Sequence, residues 1–548
     1  MKPTAVATRS NEIPDALLTE LRHNLVARRV SSGIELLDGN AHLLDSFDAA
    51  QPNASRFVGY VAQWVDVGYR EEDLIENLLS NFPKSARSRL PVSDYLHLRM
   101  AEGVLAMAHD KPDDSLFQFD LVLSMQDEID DKEQVAIARF WKARCHRRKG
   151  EYDEALKHTA TAWKLAHDLG FTKMAAMMRV MESWILFQKG HRRDATRVLD
   201  QAEVALRDTD DHITLGNIYS AHGRMIRRQG RYNDALKYFA KAIDHYQKLS
   251  LQHRNLARSL VNIAYVQRLV AQQMAKQIDA EAEERRRTQG SSSERSGKKK
   301  RELYEQLRAD GFANLEEAER IYRHHEHHHG IGSVYENRSL LYVDSGELDN
   351  AAEQAVAAYD LGKHENDSIL IARSRLLQCM IENERLEEGV DGSWDHAQSA
   401  RDYAREAVDA AKHTQNNRLI ARAYIWRGLT SCNQFFKDLE DAKACCDAAT
   451  SLLKSVDYDD LAEELHRLKQ KVMPKGNVDP LLRSWSQGIT GEKSFQEMTE
   501  QFAELVIPRV WEREGRKVSR VAARLSISPK KVRRILGRLG KLRKNQQE

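Results

Sequence analysis

The sequence predicts an all-α protein, a superhelical solenoid of helical hairpins about 40 residues long, on three observations. The segments Gly150-Glu151-Tyr152-Asp153-Glu154-Ala155, Gly190-His191-Arg192-Arg193-Asp194-Ala195 and Gly230-Arg231-Tyr232-Asn233-Asp234-Ala235 recur at an interval of 40 residues. Each glycine closes one helical pattern and each alanine lies a turn into the next, as in a pair of closely packed helices. Linked small residues keep the same register. Ala143, Ser183 and Gly223 stand twelve positions before those alanines, Ala162, Ala202 and Ala242 stand seven after, and the triple returns as Ser339, Ala351, Ala358 and as Thr430, Ala442, Ala449. Finally, 10 Pro, 27 Gly, 7% aromatic and 30% charged residues in 548 suit a helical chain, and strand signals are nearly absent.

Taken in order, residues 1 to about 12 are small and polar and are expected to be disordered. Amphipathic runs at Ala16 to Val30, Ala54 to Val67 and Glu71 to Leu79 lack repeat signatures, so 1–90 is expected to form a helical cap. The repeats occupy 91–472, and Asp113-Asp114-Ser115 falls 40 residues before Asp153-Glu154-Ala155. Within them, 279–301 holds Ser291 to Ser293 between Arg285-Arg286-Arg287 and Lys298-Lys299-Lys300. That polar stretch is expected to be a mobile, disordered loop between the two helices of one hairpin. A shorter insertion lies around Gly389 to Ser393. Two prolines and a glycine between Met473 and Pro480 mark a linker, 473–484, before a terminal domain, 485–548.

The linked small residues resemble those of the tetratricopeptide repeat, where they mark the contacts of helix A with helix B and with the next repeat. The longer period implies helices extended by roughly a turn or two. The resemblance also implies a concave face lined by helix A, which places Arg144, Arg147, Arg148, Asn217, Arg224, Arg227 and Arg228 in a groove for a protein or peptide partner. Guanidinium groups grip carboxylates and phosphates bidentately, so an acidic or phosphorylated ligand suits that lining.

Net charge is +2, but twelve of the 84 basic residues lie between Arg516 and Lys544, a span without Asp or Glu. The rest of the chain is therefore acidic, and the basic end points to nucleic acid. Within it, Val518 to Leu525 reads as a short helix and Ser526-Ile527-Ser528 as a turn. Ser528-Pro529 then opens a second helix with Val532, Ile535, Leu536 and Leu539 on its inner face. Two short helices across a three-residue turn are the elements of a helix-turn-helix.

Residues from about Phe495 to Gly540 resemble the Fis-type helix-turn-helix of bacterial transcriptional activators. The matching runs are Phe502-Ala503-Glu504-Leu505-Val506-Ile507, Trp511 to Ser519 and Leu525-Ser526-Ile527-Ser528, with Ser526 where the family usually has glycine. The ATPase module that often accompanies this domain is missing. Carried onto this sequence, the resemblance implies double-stranded DNA as partner. Lys530, Lys531 and Arg534 would face base edges, with Arg533, Arg538 and Lys541, and Arg520 on the preceding helix, completing the DNA-binding set. It also implies a homodimer.

Other chemistries find little support. Cys145, Cys379, Cys432, Cys445 and Cys446 show no paired ligand spacing, which predicts a reducing, cytoplasmic setting. No 18-residue apolar stretch occurs, so no membrane is expected. His325-Glu326-His327-His328-His329 satisfies the H-E-x-x-H pattern of zinc peptidases, but Tyr335 stands at the third ligand position, and a histidine-rich turn is the expected reading. With no P-loop or nucleophile motif either, neither enzymatic activity nor a cofactor nor a metal is predicted. The expectation is a DNA-binding transcriptional regulator whose solenoid binds a partner. The alternative is a tetratricopeptide scaffold for protein interactions without sequence-specific DNA binding.

Overall fold

The computed structural model describes residues 12–288, 294–389, 392–453, 460–472 and 494–539. The start at 1–11, Ser291 to Ser293, the whole linker 473–484 and Lys541 lie outside them. The chain divides into two compact units, Met1–Val472 and Met473–Glu548.

The first unit opens with α1 (Asp15–Ala27), α2 (Val30–Gly39), α3 (His42–Asp45), α4 (Ala54–Asp66), α5 (Asp73–Ser80) and α6 (Lys84–Arg87). Hairpins follow: α7 (Val92–Ala108) with α8 (Pro112–Ser124), α9 (Lys132–Lys149) with α10 (Tyr152–Asp168), α11 (Thr172–Gln188) with α12 (Arg192–Leu206), and α13 (His212–Arg227) with α14 (Tyr232–Gln247). Then come α15 (Arg254–Thr288) with α16 (Glu294–His324), α17 (His328–Asp344) with α18 (Leu348–His364), α19 (Ser368–Glu388) with α20 (Ser393–Lys412), α21 (Asn417–Ser431) with α22 (Leu439–Leu452), and α23 (Asp460–Val472).

The repeated residues do the work their spacing implies. Gly150, Gly190 and Gly230 have φ of 80°, 87° and 73°, left-handed values that end helix A and turn the chain into helix B. Ala155, Ala195 and Ala235 are fully buried where the helices cross. The small residue twelve positions earlier completes that crossing: the Ser183 hydroxyl donates to the Ala195 carbonyl at 2.8 Å, and Ser339 repeats the bond to Ala351 at 2.8 Å. At Gly223 a Cβ would lie 2.8 Å from the Phe239 ring, so nothing larger than glycine fits.

Two expectations need correction. Residues 279–288 and 294–301 are helical rather than a disordered loop, as α15 runs to Thr288 and α16 starts at Glu294, while 289–293 lie outside the described residues. Ala, Glu, Gln, Arg and Lys all favour helix, no proline interrupts them, and Lys300 pairs with Glu281 across the hairpin. Nor do the first 90 residues merely cap one end. While α4 stacks on α7, α1 packs against α11 far along the chain. Its C-terminal Arg28 donates to Asp211 at 2.7 Å, and Asp210 accepts the backbone N–H groups of Val30 and Ser31, each at 2.7 Å.

The solenoid also closes on itself. The Gln415 N–H donates to the Gly150 carbonyl at 2.9 Å, and the Asn416 amide reaches the Tyr152 hydroxyl at 3.4 Å. Arg148 pairs with Asp110 at 2.7 Å and Asp367 at 3.0 Å, while His329 donates its N–H to Asp110 at 2.9 Å. These contacts join turns of the early hairpins to the first residues of α17, α19 and α21.

In the second unit, α24 (Phe495–Arg513) starts at a capping box formed by Ser494 and Glu497. It packs Ala503, Ile507 and Trp511 on Val521, Ala522, Val532, Ile535 and Leu536 from α25 (Val518–Leu525) and α26 (Pro529–Arg538). Ser526 ends α25 at φ 51°, and the Ser528 hydroxyl caps α26 by accepting from the Lys531 N–H at 3.2 Å.

Candidate binding cavity of the solenoid

Helix A of every hairpin faces a shared cavity of about 580 Å³. The lining recurs at helical spacing, for example Ile137, Phe140, Arg144 and Arg147 on α9 and Met174, Met177, Met181 and Trp184 on α11. Leu25 of α1 and Gln63 and Asp66 of α4 close part of the wall, a consequence of the N-terminal crossing.

All seven residues expected in the groove line this cavity, together with Arg28, Arg254, Arg258, Arg373, Arg418 and Arg422. The last five follow from extending the same helix-A register into α15, α19 and α21. Arg28 could not be found that way, because it arrives from outside the repeats. Twelve arginines thus surround a space whose lining carboxylates are Asp66, Asp110 and Glu336.

Their partners divide them. Arg144 bonds Asp66 at 2.8 Å and covers the Trp141 ring at 3.8 Å. Arg148 is held by Asp110 and Asp367, and Arg228 donates to the Phe187 carbonyl at 3.3 Å. In contrast, no carboxylate among the described residues pairs with Arg147, Arg224 or Arg258, and the Nε atom of each is buried without an acceptor. Arg147 and Arg224 lie 5.0 and 6.0 Å from the centre of one indole, Trp184. Arg258 donates to the Asn217 side-chain oxygen at 2.6 Å, which also accepts from the Tyr246 hydroxyl at 2.9 Å. Burial, then Arg258 and Arg144, push Arg147 down to about 9, and burial with Arg258 lowers Arg224 well below the usual guanidinium range. Burial and Arg254 push the His253 imidazole down to about 3. Glu336, buried beside Arg373 at 3.5 Å, is raised to about 7, burial outweighing the guanidinium.

The histidine run is split by the turn between α16 and α17, with Glu326 at φ 47°. His325 faces Glu72 at 3.0 Å and His329 faces Asp367 at 2.7 Å, so the two histidines do not share a helix as a zinc peptidase would require. Among the described residues, Asp200, Glu203 and His222 have atoms close enough to share a cation, and none of them lines the cavity.

On α26, Lys530, Arg533, Arg534 and Arg538 are exposed and Lys531 is partly so, while Arg520 is exposed on α25. The helix does not present cations alone, however. Arg534 pairs with Glu500 and Arg538 with Glu504 at 3.0 Å, because α24 brings its acidic residues alongside.

Residues 214–288 match the tetratricopeptide-repeat family model. The first unit has a tetratricopeptide-like solenoid fold. A solved Rap protein complexed with competence and sporulation factor superposes with a TM-score of 0.51 at 13% identity, covering 74% of this chain and 98% of that one. A monomeric mutant of IFIT1 with Gppp-AAAA has a TM-score of 0.45 at 11% identity, covering 84% of this chain and 96% of that one. No curated protein matches the sequence.

Proposed function

We propose that this protein is a DNA-binding transcriptional regulator whose solenoid cavity receives an acidic or phosphorylated protein or peptide. The observation that carries the reading is α26, a helix begun by Ser528 and Pro529 at a three-residue turn, with its apolar side packed and its other side basic. Such a helix-turn-helix of Fis type meets base edges through Lys530, Lys531 and Arg534 and phosphates through Arg520, Arg533 and Arg538. The apolar stripe of Phe495 and Phe502, 82% and 49% exposed on α24, supports a homodimer. Partner capture fits the helix-A lining, since stacked repeats offer one continuous concave surface.

Selection of duplex DNA from a random pool by the full-length protein tests the proposal. An enriched motif is expected. Lys530→Ala should weaken binding and lower the salt slope or relax one position, whereas equal affinity for selected and random DNA would sink the regulatory reading. A scaffold without DNA binding is the second reading. The ion pairs of Arg534 and Arg538 favour it, because DNA must displace Glu500 and Glu504 to engage them.

A further inference from the structure

We propose that Arg147, Arg224 and Arg258 form a subsite for a dianionic oxyanion, a phosphoryl group carried by the ligand of the cavity. This rests on the cavity being a ligand site and specifies what it recognises. The three residues come from α9, α13 and α15 and converge on Trp184 and Asn217. Like charges gathered in a partly buried space repel one another, and each loses hydration that no carboxylate among the described residues replaces. Elsewhere around the same wall the chain does supply carboxylates: Asp211 to Arg28, Asp66 to Arg144, and Asp110 with Asp367 to Arg148. The unmatched charge is therefore local.

The three guanidinium groups are held in place but keep donors free. The indole face attracts Arg147 and Arg224 without consuming an N–H, and Asn217 engages one amino group of Arg258. Arg227, over the Tyr265 ring at 4.5 Å, adds a fourth cation without a carboxylate among the described residues. Planar forks of this kind match the oxygens of a phosphoryl group, whose double charge neutralises two of them where a carboxylate neutralises one. Met174, Met177 and Met181, on the helix that carries Trp184, offer an adaptable apolar wall for the rest of the ligand.

The sign of the stability change separates a binding role from a structural one. An arginine that holds the fold together destabilises when removed, whereas an uncompensated one kept for a ligand stabilises the free protein when removed. The experiment is thermal unfolding of the full-length protein at matched ionic strength in chloride, acetate and phosphate. Phosphate should raise the melting temperature saturably, by about 2–3 °C beyond chloride, and acetate should not. Arg147→Met and Arg224→Met should each melt above wild type in chloride and lose the phosphate response, while Arg320→Met, an exposed partner of Glu317, keeps it. Phosphate also stabilises proteins in general by exclusion from their surface, and that part survives in the variants. A phosphate shift equal in wild type and Arg224→Met, or variants that melt below wild type in chloride, overturns the proposal. Acetate matching phosphate overturns the dianion chemistry. If phosphate has no effect while a peptide library still yields a ligand that Met177→Glu displaces, only the subsite falls. If neither binds, the cavity reading falls with it.

Discussion

Arg148 fastens the seam that closes the solenoid, and replacing it with methionine tests whether that closure is a property of the fold. Its guanidinium makes two bonds to Asp110, at 2.7 and 3.0 Å, and a third contact to Asp367 at 3.0 Å, with all three side chains no more than 12% exposed. Methionine keeps the apolar stem and removes the charge, leaving two buried carboxylates near one another. Breaking a buried pair in this way costs about 3–5 kcal/mol. The lower figure is expected here, because Asp110 still accepts the His329 N–H and Asp367 still caps α19 through the N–H groups of Ile369 and Leu370.

A loss of about 3 kcal/mol makes local opening roughly a hundredfold more frequent. The reporter is the Gln415 amide, whose acceptor, the Gly150 carbonyl, lies across the seam. Its hydrogen exchange should speed up by that factor, with far smaller changes in the Ala235 region of the α13–α14 hairpin. The pH dependence gives a second check. Burial works against both carboxylates, but His327, His329 and Arg148 overcome it and hold Asp110 and Asp367 well below the usual carboxylate range. A depressed folded pKa contributes stability that is present above the unfolded pKa, near 4, and is lost as pH falls below it. Wild type should therefore begin to lose seam protection below about pH 4, so that its gap to the variant has narrowed by about pH 3 and closes only at still lower pH. Unchanged Gln415 exchange at pH 7, or a gap between the proteins that stays constant down to pH 3, would refute the argument.

Three further outcomes are expected. Gly223→Ala should destabilise the α13–α14 hairpin by about 1–3 kcal/mol, read by urea unfolding, since its Cβ meets a buried ring rather than a flexible tip. Glu336→Gln should stabilise the solenoid above pH 7 by on the order of 3 kcal/mol and change little below the unfolded carboxylate range. A carboxyl raised to about 7 favours folding while protonated and loses that contribution as pH rises, so a melting-temperature gap that widens towards acid would contradict it. Ser526→Gly should slow amide exchange in α25 and α26, reflecting about 1 kcal/mol of relief at φ 51°, and faster exchange would show that the serine side chain holds the turn.

Much of the fold and part of the cavity were legible in order along the chain. The 40-residue interval and the linked small residues specify the hairpins, because a helix crossing needs a small side chain at a fixed distance from a turn, and both are local requirements. The same register placed Arg144, Asn217 and Arg224 on helix A, since side-chain direction repeats with the helical period. The turn and cap of the terminal unit were likewise visible, for Ser528 and Pro529 act within one helical turn.

Residues 279–288 and 294–301 misled because low complexity reports composition, while helix propensity and the absence of proline decide whether a helix continues. Tertiary structure alone decided which arginines are spent on the fold. Arg148 meets Asp367 and Arg28 meets Asp211 through contacts across about 180 to 220 positions of chain, brought together by the accumulated turn of many hairpins. No local pattern encodes such a pairing. The sequence by itself therefore determined where the cations stand, and only the closed superhelix determined that Arg147, Arg224 and Arg258 are left without an opposite charge among the described residues.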